Sequence, residues 1–200
     1  ISQLRIVDPA CGSGSFLIGA YQYLMDYHLN FYAAGGKSSK GRRDQPLTPD
    51  GHLSTSEKKR ILLNNIYGVD IDVNAVEVTK LSLLLKCMEG ETEASIKHQL
   101  TLWNERILPT LENNIKCGNS LIDMDFYTGS LDFGDERKIK PFNWVQAFST
   151  IFSQGGFDAV IGNPPYVRQE SLGKYKSYLS NRYKVYHGIA DLYSYFIEKS

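Results

Sequence analysis

The sequence is poor in cysteine and has no surplus charge of either sign. Its three cysteines, Cys11, Cys87 and Cys117, are an odd and widely spaced set. Such a set gives neither a disulfide framework nor a metal-ligand pairing. No metal site is expected, and a reducing cytoplasm is the expected location. Lys+Arg and Asp+Glu both number 22, so no global basic field draws in a polyanion. No apolar run is long enough to span a bilayer, and no signal peptide is expected ahead of the first strand. Internal repeats are missing too. The chain opens almost directly on a strand and stops within a helical pattern, so it is expected to be a piece of something longer.

What is present suits a packed core. Hydrophobic residues make up 42% of the 200 and charged residues 22%, enough for one domain or one and part of another. Short apolar strands alternate with helical periodicities. Leu4 to Asp8 reads as a first strand ending in a carboxylate. Pro9-Ala10-Cys11-Gly12-Ser13-Gly14 follows as a tight loop, and a helix starts at Ser15 with Phe16, Leu17, Ala20, Tyr21, Leu24, Met25 and His28 at helical spacing. Small residues let the backbone approach a ligand, and the helix N-terminus offers free N–H groups.

Two nucleotide fingerprints fail at this loop. After Gly12 and Gly14 the next glycine is Gly19, which misses the dinucleotide frame and removes a nicotinamide-linked oxidoreductase from consideration. The loop does not close on Gly-Lys-Ser or Gly-Lys-Thr either, as a phosphate loop does. An acid beside it suits a ligand with an ammonium end. A plain glycine turn between strand and helix competes evenly with that reading.

Residues 35–54 are polar, glycine-rich and basic and read as an exposed insertion, with Ser54 or Thr55 capping the helix that follows. Ile66 to Asp72 is the second strand. In nucleotide folds an acid at that strand's end accepts from both ribose hydroxyls. Asp70 is assigned that role, and Asp72 is assigned to capping a helix over 73–88 with Ala75, Val78, Leu81, Leu84 and Leu85 facing the core. Asp8 and Asp70 lie 62 positions apart, far beyond the roughly 20 of a compact unit; the insertion and its helix account for the excess.

Asn114 to Leu121 reads as the third strand and its exit turn, with Asn119 emerging at the edge that carries Asp8 and Asp70. An amide can donate and accept, which suits an adenine edge; an Asn-Ser turn is the competing reading. Residues 123–140 form a polar connection, and a helix over 142–152 leads to the fourth strand. Phe157 to Gly162 reads as a buried strand, and Asn163-Pro164-Pro165-Tyr166 closes it as a rigid polar mouth. Two prolines remove two N–H donors and fix φ, which sets where their carbonyls point. The Asn163 side-chain oxygen and the Pro164 carbonyl can accept from one amino group while Tyr166 lies over the ring that bears it. Helices follow over 172–179 and 190–197. From Val167 onward six cations face three anions, a surplus that suits phosphate contact or a solvated helix face.

Together these stretches resemble the amino-methyltransferases that use S-adenosyl-L-methionine, and more narrowly the DNA adenine-N6 methylases of γ-type motif order. The carrying residues are Asp8 to Leu17, Gly68 to Asp72, Cys117 to Leu121 and Phe157 to Arg168. Gly188 to Tyr193 is similar to the stretch that follows in large restriction–modification methylases. The resemblance implies an α/β fold: a Rossmann-like class I methyltransferase sheet, mostly parallel, with helices on both faces, truncated after the fourth strand. It implies that residues 1–200 are a partial catalytic domain lacking the target-recognition domain and unable to methylate DNA alone. It places the methionine end of the cofactor on Asp8, Pro9, Ala10, Cys11, Gly12, Gly14 and Phe16. It places the ribose at Asp70 with Ile71 beside it, and the cofactor adenine at Asn119 and Ser120. Asn163, Pro164, Pro165 and Tyr166 would hold a flipped adenine of double-stranded DNA. Where such families carry Asp at the third of these positions, this chain has Asn119. A methyltransferase for RNA bases or protein glutamine shares the Asn-Pro-Pro-Tyr pattern, and a non-catalytic binding module is a third reading.

Overall fold

In β2 (Ile66–Asp70) the side chains alternate between two cores, as a strand's period of two requires. Ile66 joins one apolar cluster, and Gly68 lies against Leu17 and Cys11 of that cluster. Val69 and Tyr67 belong to a second, aromatic cluster. Both faces of the sheet are therefore covered. The computed structural model describes residues 1–36, 45–91, 108–127, 139–168, 172–173, 175–187 and 190–200.

Among these residues four strands form one parallel sheet in the order β3-β2-β1-β4. They are β1 (Ile6–Asp8), β2, β3 (Ile115–Cys117) and β4 (Ala159–Val160). Helices α1 (Ser15–Ala33) and α2 (Thr55–Asn65) join β1 to β2, and α3 (Val73–Met88) joins β2 to β3. Successive crossovers in one direction put all three helices on the Ile66 face. The chain then returns past β1 through two short helices, α4 (Trp144–Ala147) and α5 (Ser149–Phe152), on the Val69 face. The order reverses between β1 and β4, and that switch point is where open α/β sheets place their ligands. Two further helices, α6 (Tyr175–Arg182) and α7 (Leu192–Lys199), pack with Leu121, Ile122 and Ile139 in a third cluster. The α/β class, the parallel sheet and the helices on both faces all match the sequence expectation.

Local chemistry sets the element ends. Ser54 caps α2, its hydroxyl accepting from Glu57 N at 3.3 Å. Asp72 caps α3, its Oδ1 accepting from Asn74 N at 2.9 Å. Glu57, fully buried, pairs with Arg60 at 2.7 Å and accepts from the Tyr32 hydroxyl at 2.9 Å, tying α2 to α1. Gly14 stands at the entrance of α1 with φ +84°, and a Cβ there would meet the Thr79 methyl at 2.8 Å.

Several expectations need correction. The inward face of α3 is Val76, Thr79, Leu83 and Cys87, while Val78, Leu81 and Leu85 are exposed. The helix is apolar on nearly every side, so periodicity alone could not choose. Thr79 decides it, because its hydroxyl donates to the Gly12 carbonyl at 2.8 Å and ties α3 to the first loop. Phe16, one of the residues at helical spacing in α1, does not share the burial of Leu17, Tyr21, Leu24, Met25 and His28: it is 51% exposed. Of the insertion, residues 37–44 lie outside the described set. The rest is not merely solvated: Leu47 and Leu53 bridge antiparallel, and Leu53 is buried in the main core. The single helix expected over 142–152 breaks at Phe148 (φ −123°, ψ 44°) into α4 and α5. Strand β4 was expected to be buried, yet Val160 is 40% exposed. Among the described residues β4 pairs with β1 alone, so its other edge is open.

Candidate functional site

The loop leaving β1 is held from three directions. Cys11 N donates to Val69 O at 3.0 Å, Gly12 N donates to Asp70 Oδ2 at 2.8 Å, and Ser120 donates its hydroxyl to the Pro9 carbonyl. Asp70 also accepts from Asp72 N through its other oxygen at 2.8 Å. One carboxylate at the end of β2 thereby fixes the loops after two strands. Each of its oxygens keeps a second lone pair for a ligand hydroxyl.

Asp8 sits beneath this loop, 1% exposed. Its Oδ1 accepts from Ala10 N at 3.0 Å. Burial raises its pKa to about 6, the Ala10 N–H pulls the other way, and the charge of Asp70 adds to the rise. On its far side lies Gly162, whose φ is +146°; a Cβ there would stand 2.5 Å from Asp8 Oδ1. Only a residue without a side chain fits between Asp8 and the turn that begins at Asn163. Cys11 is buried, and burial, followed by the charges of Asp70 and Asp8, pushes its thiol up to about 12. Such a thiol is no nucleophile near neutral pH.

A cavity of about 470 Å³ opens at this edge. Pro9, Ala10, Asp70, Ile71, Asn119, Ser120, Asn163 and Pro165 line it, all of them singled out from sequence. Its volume falls within the roughly 300–1,000 Å³ of small-molecule sites. The remaining predicted residues stand around it. Asp8 lies behind the wall, Cys11 points into the main core, and Gly12 and Gly14 shape the loop. Phe16 faces outward, 51% exposed. Pro164 lines a smaller neighbouring cavity, and Tyr166 is 72% exposed beside the mouth.

Asn119 realises its turn reading: its Oδ1 accepts from Leu121 N at 3.1 Å, and the residue still lines the cavity. Lys140 braces this wall. Its carbonyl accepts from Asn119 N at 2.7 Å and its ammonium donates to Ile71 O at 2.8 Å. It is the one non-glycine residue with positive φ (48°) among those described, a conformation that concentrates at functional sites. Sequence reasoning missed the apolar wall made by Leu172, Leu179, Leu192 and Phe196. No local pattern announces that helices after the mouth fold back onto the β3 exit. It also missed Thr79, whose signal was a lone hydroxyl on an otherwise apolar helix face.

A parallel sheet ordered 3-2-1-4 with its cavity at the switch point is the Rossmann-like arrangement of a methyltransferase domain. Residues 64–200 match the Eco57I restriction-modification methylase family, and residues 2–107 match the RMKL-like methyltransferase domain. The chain belongs to the Eco57I restriction-modification methylase family. It is 34% identical over 200 residues to the type II restriction enzyme and methyltransferase RM.Eco57I of Escherichia coli, covering 98% of this chain and 18% of that protein. It is 29% identical over 174 residues to the adenine-specific methyltransferase PglX of Streptomyces coelicolor, covering 82% of this chain and 12% of that one. A solved nuclease-deletion mutant of the type ISP restriction-modification enzyme LlaGI, in complex with a DNA substrate mimic, is 15% identical. Its TM-score is 0.49, with 98% of this chain and 14% of that one covered. The chain thus spans less than a fifth of the length of these relatives. Family membership implies S-adenosyl-L-methionine as methyl donor.

Proposed function

We propose that this chain is part of the catalytic domain of a site-specific DNA methyltransferase, acting on adenine N6 within a restriction–modification enzyme. The observation that carries this reading is the sharing of one cavity by Asp70, Asn119 and Asn163, at the switch point of the sheet. The donor set fits S-adenosyl-L-methionine. Asp70 accepts from the ribose hydroxyls, and Ile71, Asn119 and Ser120 meet the adenine. The loop over Pro9 to Gly14, with Asp8 beneath it, meets the methionine end. Bound S-adenosyl-L-methionine supplies an electrophilic methyl group.

The protein's own task is to prepare the amine. An adenine amine is a poor nucleophile because its lone pair is delocalised into the ring. Asn163 Oδ1 and the Pro164 carbonyl accept hydrogen bonds from its two N–H groups, which favours a pyramidal nitrogen and localises the lone pair. This is positioning and electrostatics, without a covalent enzyme intermediate. Taking the base out of the stack costs a few kcal/mol; stacking on Tyr166 returns roughly 1–3 kcal/mol. The partners are duplex DNA and the rest of a longer chain that carries target recognition. Cytoplasmic residence agrees with the free Cys11, Cys87 and Cys117. No helix among the described residues is long and apolar enough to cross a membrane.

The test exposes duplex DNA to the full-length protein and sequences its modified bases, with tritiated methyl transfer to DNA, RNA and protein run side by side. N6-methyladenine at a defined site is the expected product. Transfer to RNA or to a glutamine amide, with none to DNA, overturns the substrate; no transfer to any of the three overturns catalysis.

A further inference from the structure

The chain does not leave Tyr166 on a free loop. Val167 O accepts from Leu192 N at 2.8 Å, and Arg168 bridges antiparallel to Asp191. This short pairing ties the segment after the Asn-Pro-Pro turn to the start of α7. Tyr193 falls in the first turn of that helix, and its ring centroid lies 5.3 Å from that of Tyr166, with the planes at 44°. The helix itself is anchored. Tyr195 and Phe196 are buried in the third cluster, and Glu198 accepts from Lys184 N at 2.9 Å and Val185 N at 2.7 Å. A half-buried ring on a fixed helix therefore touches a 72% exposed ring on a turn. Tyr193 is not part of the cavity wall that would hold the cofactor.

We propose that Tyr193 is a positioning residue for the target base: its ring backs Tyr166 and holds it so that its outer face meets the incoming base. This rests on the reading that Asn163 to Tyr166 receive a flipped base. An exposed tyrosine samples several χ1 rotamers, and stacking a base on it freezes one of them. A ring already packed against a second ring, here tilted at 44° to it, has lost that freedom beforehand, so the base meets a preorganised surface. The contact is ring on ring, so phenylalanine preserves it and an aliphatic side chain does not.

The experiment uses the full-length protein and two duplexes, one with adenine at the methylated position for kcat/KM and one with 2-aminopurine there for emission. 2-Aminopurine brightens when it leaves the stack and dims when it lies on an aromatic ring. For Tyr193→Leu, kcat/KM for DNA is expected to fall about tenfold, the scale of one base–aromatic stack. Cofactor affinity is expected to hold, and bound 2-aminopurine to be brighter than with the wild type. Tyr193→Phe is expected to restore kcat/KM and emission to within about twofold of wild type. Tyr193→Met, read in the same three ways, takes the place of the leucine variant if that one does not fold. Wild-type behaviour in the aliphatic variant overturns the proposal. So does an equal loss in the phenylalanine variant, which would assign the role to the hydroxyl, and so does a parallel loss of cofactor affinity, which would make the effect structural. A wild type that neither methylates adenine nor changes 2-aminopurine emission overturns the base-holding reading and this proposal with it. A wild type that flips the base beside an indifferent Tyr193→Leu overturns the proposal alone.

Discussion

On the β1–β3 side of the cavity, hydrogen bonds run chiefly from loop to loop, with Thr79 of α3 adding one to Gly12 O; on the β4 side the tether runs from loop to helix. The first side is stitched by Gly12 N and Asp72 N on Asp70, by the Ser120 hydroxyl on Pro9 O and by Asn119 N on Lys140 O. Its polar partners are backbone groups already in place. The second side has an exposed Asn163 and Tyr166, with Leu192 N on Val167 O as its tether. The difference suits the two tasks proposed for these sides. A small cofactor of fixed shape gains from a mouth formed before it arrives. A base swung out of a duplex needs a surface that stays open until it comes.

The sharpest break in that comparison is at Asn163. In the full-length enzyme Asn163→Ala is expected to keep cofactor affinity and lose turnover by about 10²–10³, the scale of one transition-state hydrogen bond. Single-turnover methylation of duplex DNA at the wild-type rate would remove Asn163 from the chemistry. Asp70→Ala probes the other side and should do the reverse. It unpairs Gly12 N and Asp72 N as well as the ribose site, so affinity for S-adenosyl-L-methionine is expected to fall at least ~10-fold, as for loss of a bond to a charged acceptor. Titration calorimetry reads this directly. Unchanged affinity would leave Asp70 with loop-tying alone.

The smallest effect concerns Asp8, which lies between the two sides. Its pKa rises from 3.8 to about 6 on folding. A raised carboxyl pKa means that the folded state binds the proton more tightly. The resulting stabilisation is complete below the unfolded value and disappears as pH rises through about 6. The amount at stake is of the order of 2–3 kcal/mol. Asp8→Asn keeps an oxygen for Ala10 N and carries no charge. Urea unfolding from pH 4 to 8 should therefore show a profile flatter than wild type by about that amount. Parallel profiles for the two proteins would mean that Asp8 ionises in the folded state as freely as in the unfolded chain.

Much of this edge was legible because its chemistry is local. An acid ending a strand, a run of small residues and a proline pair each act through their own backbone. Asp72 at the start of α3 and Ser54 at the start of α2 were readable as caps for the same reason. What stayed hidden depends on partners distant in sequence. Val78, Leu81 and Leu85 looked like a core face until Thr79 reached Gly12 and turned α3 the other way. Leu192 and Phe196 became a cavity wall because α6 and α7 return to the β3 exit. There the Tyr183 hydroxyl donates to Leu121 O at 2.8 Å and the Tyr178 hydroxyl to Asp125 at 2.7 Å. Pairings across 53 and 62 positions leave no periodic trace.

The contact between Gly162 and Asp8 has a practical consequence for anyone diversifying the substrate mouth by directed evolution. Position 162 is closed to randomisation while the acid stands at position 8, because every side chain larger than hydrogen collides with a group that the opposite loop needs. A library meant to reshape the pocket for another base leaves the tether at Val167 and Arg168 and the buried cluster beyond it intact. At the strand exit it must treat positions 8 and 162 as one joint site, changed together or left alone.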